Sequence, residues 1–236
     1  MASQKFSFVT VDPVSGSGDQ AVNFSGDKHT GRLQRTINLT VTTNGGAKKA
    51  LYKCPFIMPT NGGAKKALVV NQAAAAEVVR SDSPNASVQK TGGNVTITGK
   101  SNSTKLTFAV TPAEENGLTL QLPANYTAAG KTTANGAVIT DDPGAAGEFV
   151  WSITISNVPA NATIEELTAT LKVTAAGGQT ANVTVTQAAG DSTIELDKEI
   201  INLDVNGTQQ TVNVTSNDSW TWAQAAARTV LRMMGR

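Results

Sequence analysis

Apolar and polar residues alternate with a period of two along most of this chain, the spacing that puts successive side chains on opposite faces of a strand. The clearest case is Ile37-Asn-Leu39-Thr-Val41-Thr-Thr-Asn-Gly45-Gly46, which returns as Ala169-Thr-Leu171-Lys-Val173-Thr-Ala-Ala-Gly177-Gly178. Each copy runs on to a similar close, Gln72-Ala73-Ala74 and Gln187-Ala188-Ala189. Alternating residues on both sides of a glycine turn predict a β-hairpin. A chain that repeats one hairpin is expected to be an array of units.

The first unit is expected over residues 5–74. Phe6 and Phe8, then Val22 and Phe24, alternate with polar neighbours, and Asp12-Pro13 opens a turn cluster. The string Thr-Asn-Gly-Gly-Ala-Lys-Lys-Ala-Leu occurs at 43–51 and again at 60–68. Removing Tyr52–Leu68 restores the spacing of the second hairpin, so these residues are expected to be an insertion. Inserted loops often carry binding surfaces; a tolerated duplication is the plainer explanation.

An Ala-rich link follows, whose Ala73–Arg80 part has the length of two helical turns, short for a helix on its own. The second unit, 88–189, is expected to be larger, with strands at Val95–Thr98, Leu106–Val110, Leu118–Leu122, Phe149–Ile155, Leu167–Val173 and Asn182–Thr186. Phe149, Trp151, Ile153 and Ile155 share one face, which makes Trp151 a core residue. Residues 124–147 make a long Gly/Ala-rich stretch, and such loops tend to be functional or mobile.

A third unit, 191–222, has only two or three strands, around Ile194, Ile201 and Val212, too few to bury a core. Its open edge beside Trp220 is expected to pair with another chain or to stay without order. Residues 223–236 read as a helix-prone tail, with Arg228, Arg232 and Arg236 on one helical face.

Composition adds limits. Few aromatics, abundant Thr, Val and Asn, and a formal net charge of +1 suit small β-sandwiches with Thr-rich outer faces. Near-neutral charge favours neither nucleic acid nor membrane as a partner. One cysteine, Cys54, allows no intrachain disulfide. The first residues resemble no signal peptide, and no stretch is long enough to span a bilayer.

Candidate chemistry is thin. His29, the single histidine, lies two residues from Asp27 in a polar loop, where solvation is the plain reading of a would-be Ser-His-Asp site. The pairs Glu114-Glu115, Asp141-Asp142 and Glu165-Glu166 sit at turns. Asp12 with Asp19, or Asp141 with Asp142, lack the ligand ladder of a calcium loop. No phosphate-binding motif occurs. Catalytic residues, metal and cofactors are therefore expected to be none. The candidate contact residues are Lys48, Lys49, Lys65 and Lys66 at a basic hairpin tip, and Trp220 and Trp222 on one face of a strand.

Strand, Asn206-Gly207 turn and Val212-x-Val214-x-Ser216-Asn217-x-x-Trp220 resemble the front half of a BACON domain, an immunoglobulin-like sandwich of gut Bacteroidetes and their crAss-like phages. The first unit resembles it in outline without the tryptophan. The resemblance implies an all-β array of immunoglobulin-like sandwiches used for display, spacing or adhesion, with carbohydrate binding as the family's presumed role. The expectation is a non-enzymatic virion surface protein, a head-decoration or fibre component, its partners other virion proteins or its own copies. The alternative is a glycan-binding accessory part of a bacterial cell-surface or secreted protein.

Overall fold

The computed structural model describes residues 2–43 and 63–224. The chain is all-β, as its alternation implies, with one short 3-10 turn among the described residues. No helix described is long and apolar enough to cross a membrane.

The first unit holds a three-stranded sheet, β1 (Gln4–Phe6), β2 (Val9–Asp12) and β3 (Asn23–Gly26), and a hairpin of β4 (Arg35–Thr42) with β5 (Lys65–Gln72). Phe8, Val9 and Val11 are buried against Ile37, Leu39 and Val70. Three buried side chains make a small core, and the Arg35 guanidinium lies over the Phe8 ring at 4.3 Å as a further tie.

The middle unit is two sheets closed on one core. One runs β11 (Lys131–Ala134), β10 (Asn125–Ala128), β12 (Phe149–Val158), β8 (Gly93–Ser101), β6 (Val79–Ser81). The other runs β7 (Asn85–Val88), β14 (Thr180–Gln187), β13 (Leu167–Ala175), β9 (Leu106–Pro112). Their inward residues form a single cluster around the fully buried Trp151, which meets Phe108 edge-on at 5.5 Å. The stripe of Phe149, Trp151, Ile153 and Ile155 is buried along its whole length. Outer positions carry threonine, as at Thr96 and Thr154, whose hydroxyls hydrogen-bond across the strands.

Three expectations change here. Ala73–Arg80 forms no helix: the N–H groups of Ala75 and Val78 donate to the Gly31 carbonyl and the Asn102 side chain, and Val79–Ser81 is a strand. Leu118 and Leu120 are buried but lie in irregular chain held by one bridge to Thr168. The stretch 124–147 contains β10 and β11, which extend the sheet beyond β12, and the Asn135 amide bonds both backbone groups of Phe108, covering the outer edge of β9.

The two hairpins share one register. Leu39 pairs with Leu68 as Leu171 pairs with Val183, and Arg35 with Gln72 as Leu167 with Gln187. Residues 43–64 stand between the paired ends of the first hairpin and residues 175–179 between those of the second, an excess of 17 (22 against 5). Lys65–Leu68, placed by sequence in the insertion 52–68, are the first half of β5.

The end unit pairs β15 (Ile194–Leu196) with β16 (Val214–Ser216) and buries no large side chain. Of the tail 223–236, only Ala223 and Gln224 are described, without regular structure; the helix expected there lies outside the described residues.

Candidate functional site

Among the described residues a polar joint between units is built twice. At the first joint the buried Asn102 donates through Nδ2 to the carbonyls of Thr30 (3.0 Å) and Ala76 (2.9 Å) and accepts from the Val78 N–H (2.8 Å). Ser101 Oγ donates to the Val78 carbonyl, and the Ala75 N–H to that of Gly31. At the second joint Asn217 donates to Ala162 (2.9 Å) and Asp191 (2.9 Å) and accepts from Thr193 (2.8 Å). Ser216 Oγ donates to the Thr193 carbonyl, and the Gly190 N–H to that of Thr163.

Every partner after the joint is shifted by 115 residues, as from Val78 to Thr193, and every partner before it by 132, as from Thr30 to Ala162. The shift of 115 also carries the whole segment 79–102 onto 194–217 without a gap. Val79 pairs with Ser101 as Ile194 with Ser216, and Asp82 bonds Thr98 as Asp197 bonds Asn213. The end unit therefore begins as the middle unit begins.

The glutamines of the repeated phrase belong to the same scheme. Gln187 Nε2 donates to the Pro159 carbonyl at 2.7 Å and Gln72 Nε2 to that of Asp27 at 2.8 Å, again 132 residues apart on the acceptor side. His29 occupies the place of Asn161: its Nε2 bonds the Leu33 carbonyl as Asn161 Nδ2 bonds that of Glu165. Asp27 pairs with Lys5, so its carboxylate and His29 are drawn into separate structural roles.

The first joint carries an additional clamp. Arg32 forks onto both oxygens of Asp142 and donates Nε to the Asn102 carbonyl. Its backbone and that of Leu33 donate to Gly144 and Ala145, in the 3-10 turn Pro143–Ala145. A Cβ on Gly31 would collide with Ala145 and Ala146, and one on Gly144 with Asn102, so both glycines are set by close backbone approach. Asp141, the other half of that acidic pair, is taken by Lys131. Among the described residues no three metal-ligating side chains gather.

Of the residues proposed from sequence, those described are not brought to one place. Lys65 and Lys66 are exposed at the start of β5, in the first unit. Lys48 and Lys49 lie outside the described residues. Trp220 and Trp222 are in the end unit, 45% and 68% exposed, with ring centroids 6.0 Å apart and edge-on. A shallow polar groove lies on the outer face of β10, β11 and β12, lined by Asn125, Tyr126, Thr127, Thr132, Ser152 and Thr154. Beneath it the Tyr126 hydroxyl is buried without a hydrogen-bond partner; burial pushes its phenol up, with the Leu106 backbone a weaker opposing influence.

Sequence reading gave Asn102, Asn161 and Arg32 no structural role. The signal for Asn102 was present: Ser101-Asn102-Ser103 and Ser216-Asn217-Asp218 stand 115 residues apart, as do Gln72 and Gln187. Charge partition was overlooked as well. Residues 1–74 hold nine Lys/Arg against three Asp, and residues 190–224 one Lys against six Asp/Glu.

A family model described as Toastrack DUF4097 matches residues 66–223, about two thirds of the chain. The chain belongs to this family. No curated protein matches it. The family corrects the likeness to BACON and immunoglobulin-like repeats, whose most specific element was the Ser216-Asn217-x-x-Trp220 close. In the structure that Ser-Asn pair is the joint motif, and it recurs at Ser101-Asn102, which no tryptophan follows at that spacing.

Proposed function

We propose that the chain is a non-enzymatic structural protein: a tandem array of Toastrack-type β units that gives spacing and adhesion at a surface. A virion surface is the proposed setting, with a bacterial cell-surface or secreted protein as the alternative. One observation carries the reading. Two joints separated by a whole unit use the same asparagine and serine on the same backbone groups. A side chain that ties three backbone segments together fixes the angle between units, which a load-bearing or displaying array needs and a flexible linker does not supply. In support, Asp27, Asp142 and Glu148 are engaged in structural pairs with Lys5, Arg32 and Arg80.

Limited proteolysis of Asn102→Ala and Asn217→Ala tests the reading. Each variant is expected to gain a cleavage site at its own joint, near 74–77 and 189–192, while the middle unit stays intact. Unchanged cleavage in both would sink it. Flanking genes for capsid or portal proteins would support the virion setting, and host metabolic genes the alternative.

A second reading, adhesion to glycans, draws on the exposed Trp222 ring beside Trp220. An exposed indole offers a stacking face for a sugar. A glycan array on which the chain and Trp222→Ala give the same profile would remove it.

A further inference from the structure

In the middle unit β7 adds in parallel to the outer edge of β14, pairing Thr184 with Asn85, Val185 with Ala86, Thr186 with Ser87 and Gln187 with Val88. The N–H groups of Thr184 and Ala188 donate across that edge to Pro84 and Val88. Among the described residues both halves of this contact recur, each without its mate. The equivalent of β14 is β5, whose sheet among the described residues contains only β4. The equivalent of β7, moved by 115 residues, is Ile200–Leu203, which joins no sheet among the described residues.

The apolar content of the two edges agrees with a missing contact. Val88 in β7 is 4% exposed, whereas its equivalent Leu203 is 62% exposed and Ile200 76%. Val69 on β5 is 56% exposed. A free strand edge with apolar side chains is a template for another strand. Charge adds direction: the first unit is basic and the end unit acidic, so unlike ends attract and like ends repel.

We propose that the chain assembles head to tail with itself, Ile200–Leu203 of one copy adding as a parallel strand to the free edge of β5 in the next. The middle unit supplies the register: Val69 against Ile200, Val70 against Ile201, Asn71 against Asn202 and Gln72 against Leu203. The N–H groups of Val69 and Ala73 then meet the carbonyls of Glu199 and Leu203 in the neighbouring copy. The inference rests on the array reading only in treating the units as equivalent. Its test reads mass and cross-links between chains, whereas the joint test reads cleavage within one, so either can fail alone.

The experiment uses the full chain with Cys54→Ser. Light scattering at low salt is expected to give a mass that rises with concentration and falls as salt screens the opposite ends. Single-cysteine variants Asn71→Cys and Asn202→Cys, mixed and oxidised, are expected to give the mixed disulfide. Its yield should exceed that of Asn71→Cys with Asn182→Cys, a site on the outer face of β14, by about tenfold, because only the former pair is held side by side. Ile201→Lys, at a solvent-exposed position, should weaken association by about tenfold or more by placing a charge on the edge. A mass that stays monomeric at every concentration overturns the proposal. So do equal disulfide yields, or an Ile201→Lys chain that still assembles.

Discussion

Gly99 lies directly across from Trp151 in the ladder between β8 and β12, and the indole ring fills the space where a Cβ would be. Any side chain at Gly99 would strike this ring and the Arg80 carbonyl oxygen. The equivalent residue in the end unit is Val214, and no strand lies across from it there except β15. One position is thus closed in one unit and open in the other. Gly99→Val is expected to cost the middle unit about 3 kcal/mol or more through forced repacking. Val214→Gly should leave global unfolding in urea nearly unchanged. A Gly99→Val chain with a wild-type midpoint would contradict this account of the core.

Gln187 is 1% exposed and holds the carbonyls of Pro159 and Gln89, so truncation strands buried acceptors. Gln187→Leu is expected to lose about 2 kcal/mol of stability. Gln72 makes the equivalent bond to Asp27 from a half-exposed position, where water can replace it. Gln72→Leu should therefore cost clearly less, measured by thermal unfolding of the two variants side by side.

Tyr126 makes an alkaline prediction. Burial raises its phenol above the ordinary value, so the folded state holds the proton more tightly than the unfolded chain. Stability from this residue is complete below the unfolded value of about 10 and is lost as pH rises through the higher folded value. Tyr126→Phe removes a buried hydroxyl that has no partner. It is expected to be neutral or stabilising by about 1 kcal/mol at pH 7 and to flatten the alkaline loss. Denaturant midpoints from pH 8 to 11 check both statements.

The end unit should loosen first in acid. The Asn213 N–H and amide hold the Asp197 carboxyl below the ordinary range, and the Thr208 hydroxyl and backbone do the same for Asp204. A depressed folded value contributes stability above the unfolded value of about 4, which is lost as pH falls through the folded one. Hydrogen exchange at Asn213 and Thr208 is expected to accelerate below that pH while the amides of β12 stay protected. Asp197→Asn should keep part of the Asn213 contact and lose the pH dependence.

Much of the local structure was legible because strands report themselves by period. Ile37, Leu39 and Val41 and their later copies gave the hairpins, and the extra 17 residues were counted from sequence alone. Their limits were not, because the duplicated string offers two equivalent strands. Backbone pairing chose the second, setting Leu39 against Leu68. Val79–Ser81 escaped notice since three residues between Val78 and Asp82 are too few to show a period.

The all-β class and the recurring hairpin follow from near-neighbour spacing along the chain, which is why alternation alone reveals them. Tertiary structure decided what the units do to one another. Asn102 is one polar residue among many until Thr30, Ala76 and Val78 are brought to it from 72, 26 and 24 residues away. Long-range bonds of this kind satisfy backbone groups that local structure leaves open, and nothing in the spacing of a single segment encodes which distant carbonyl will arrive.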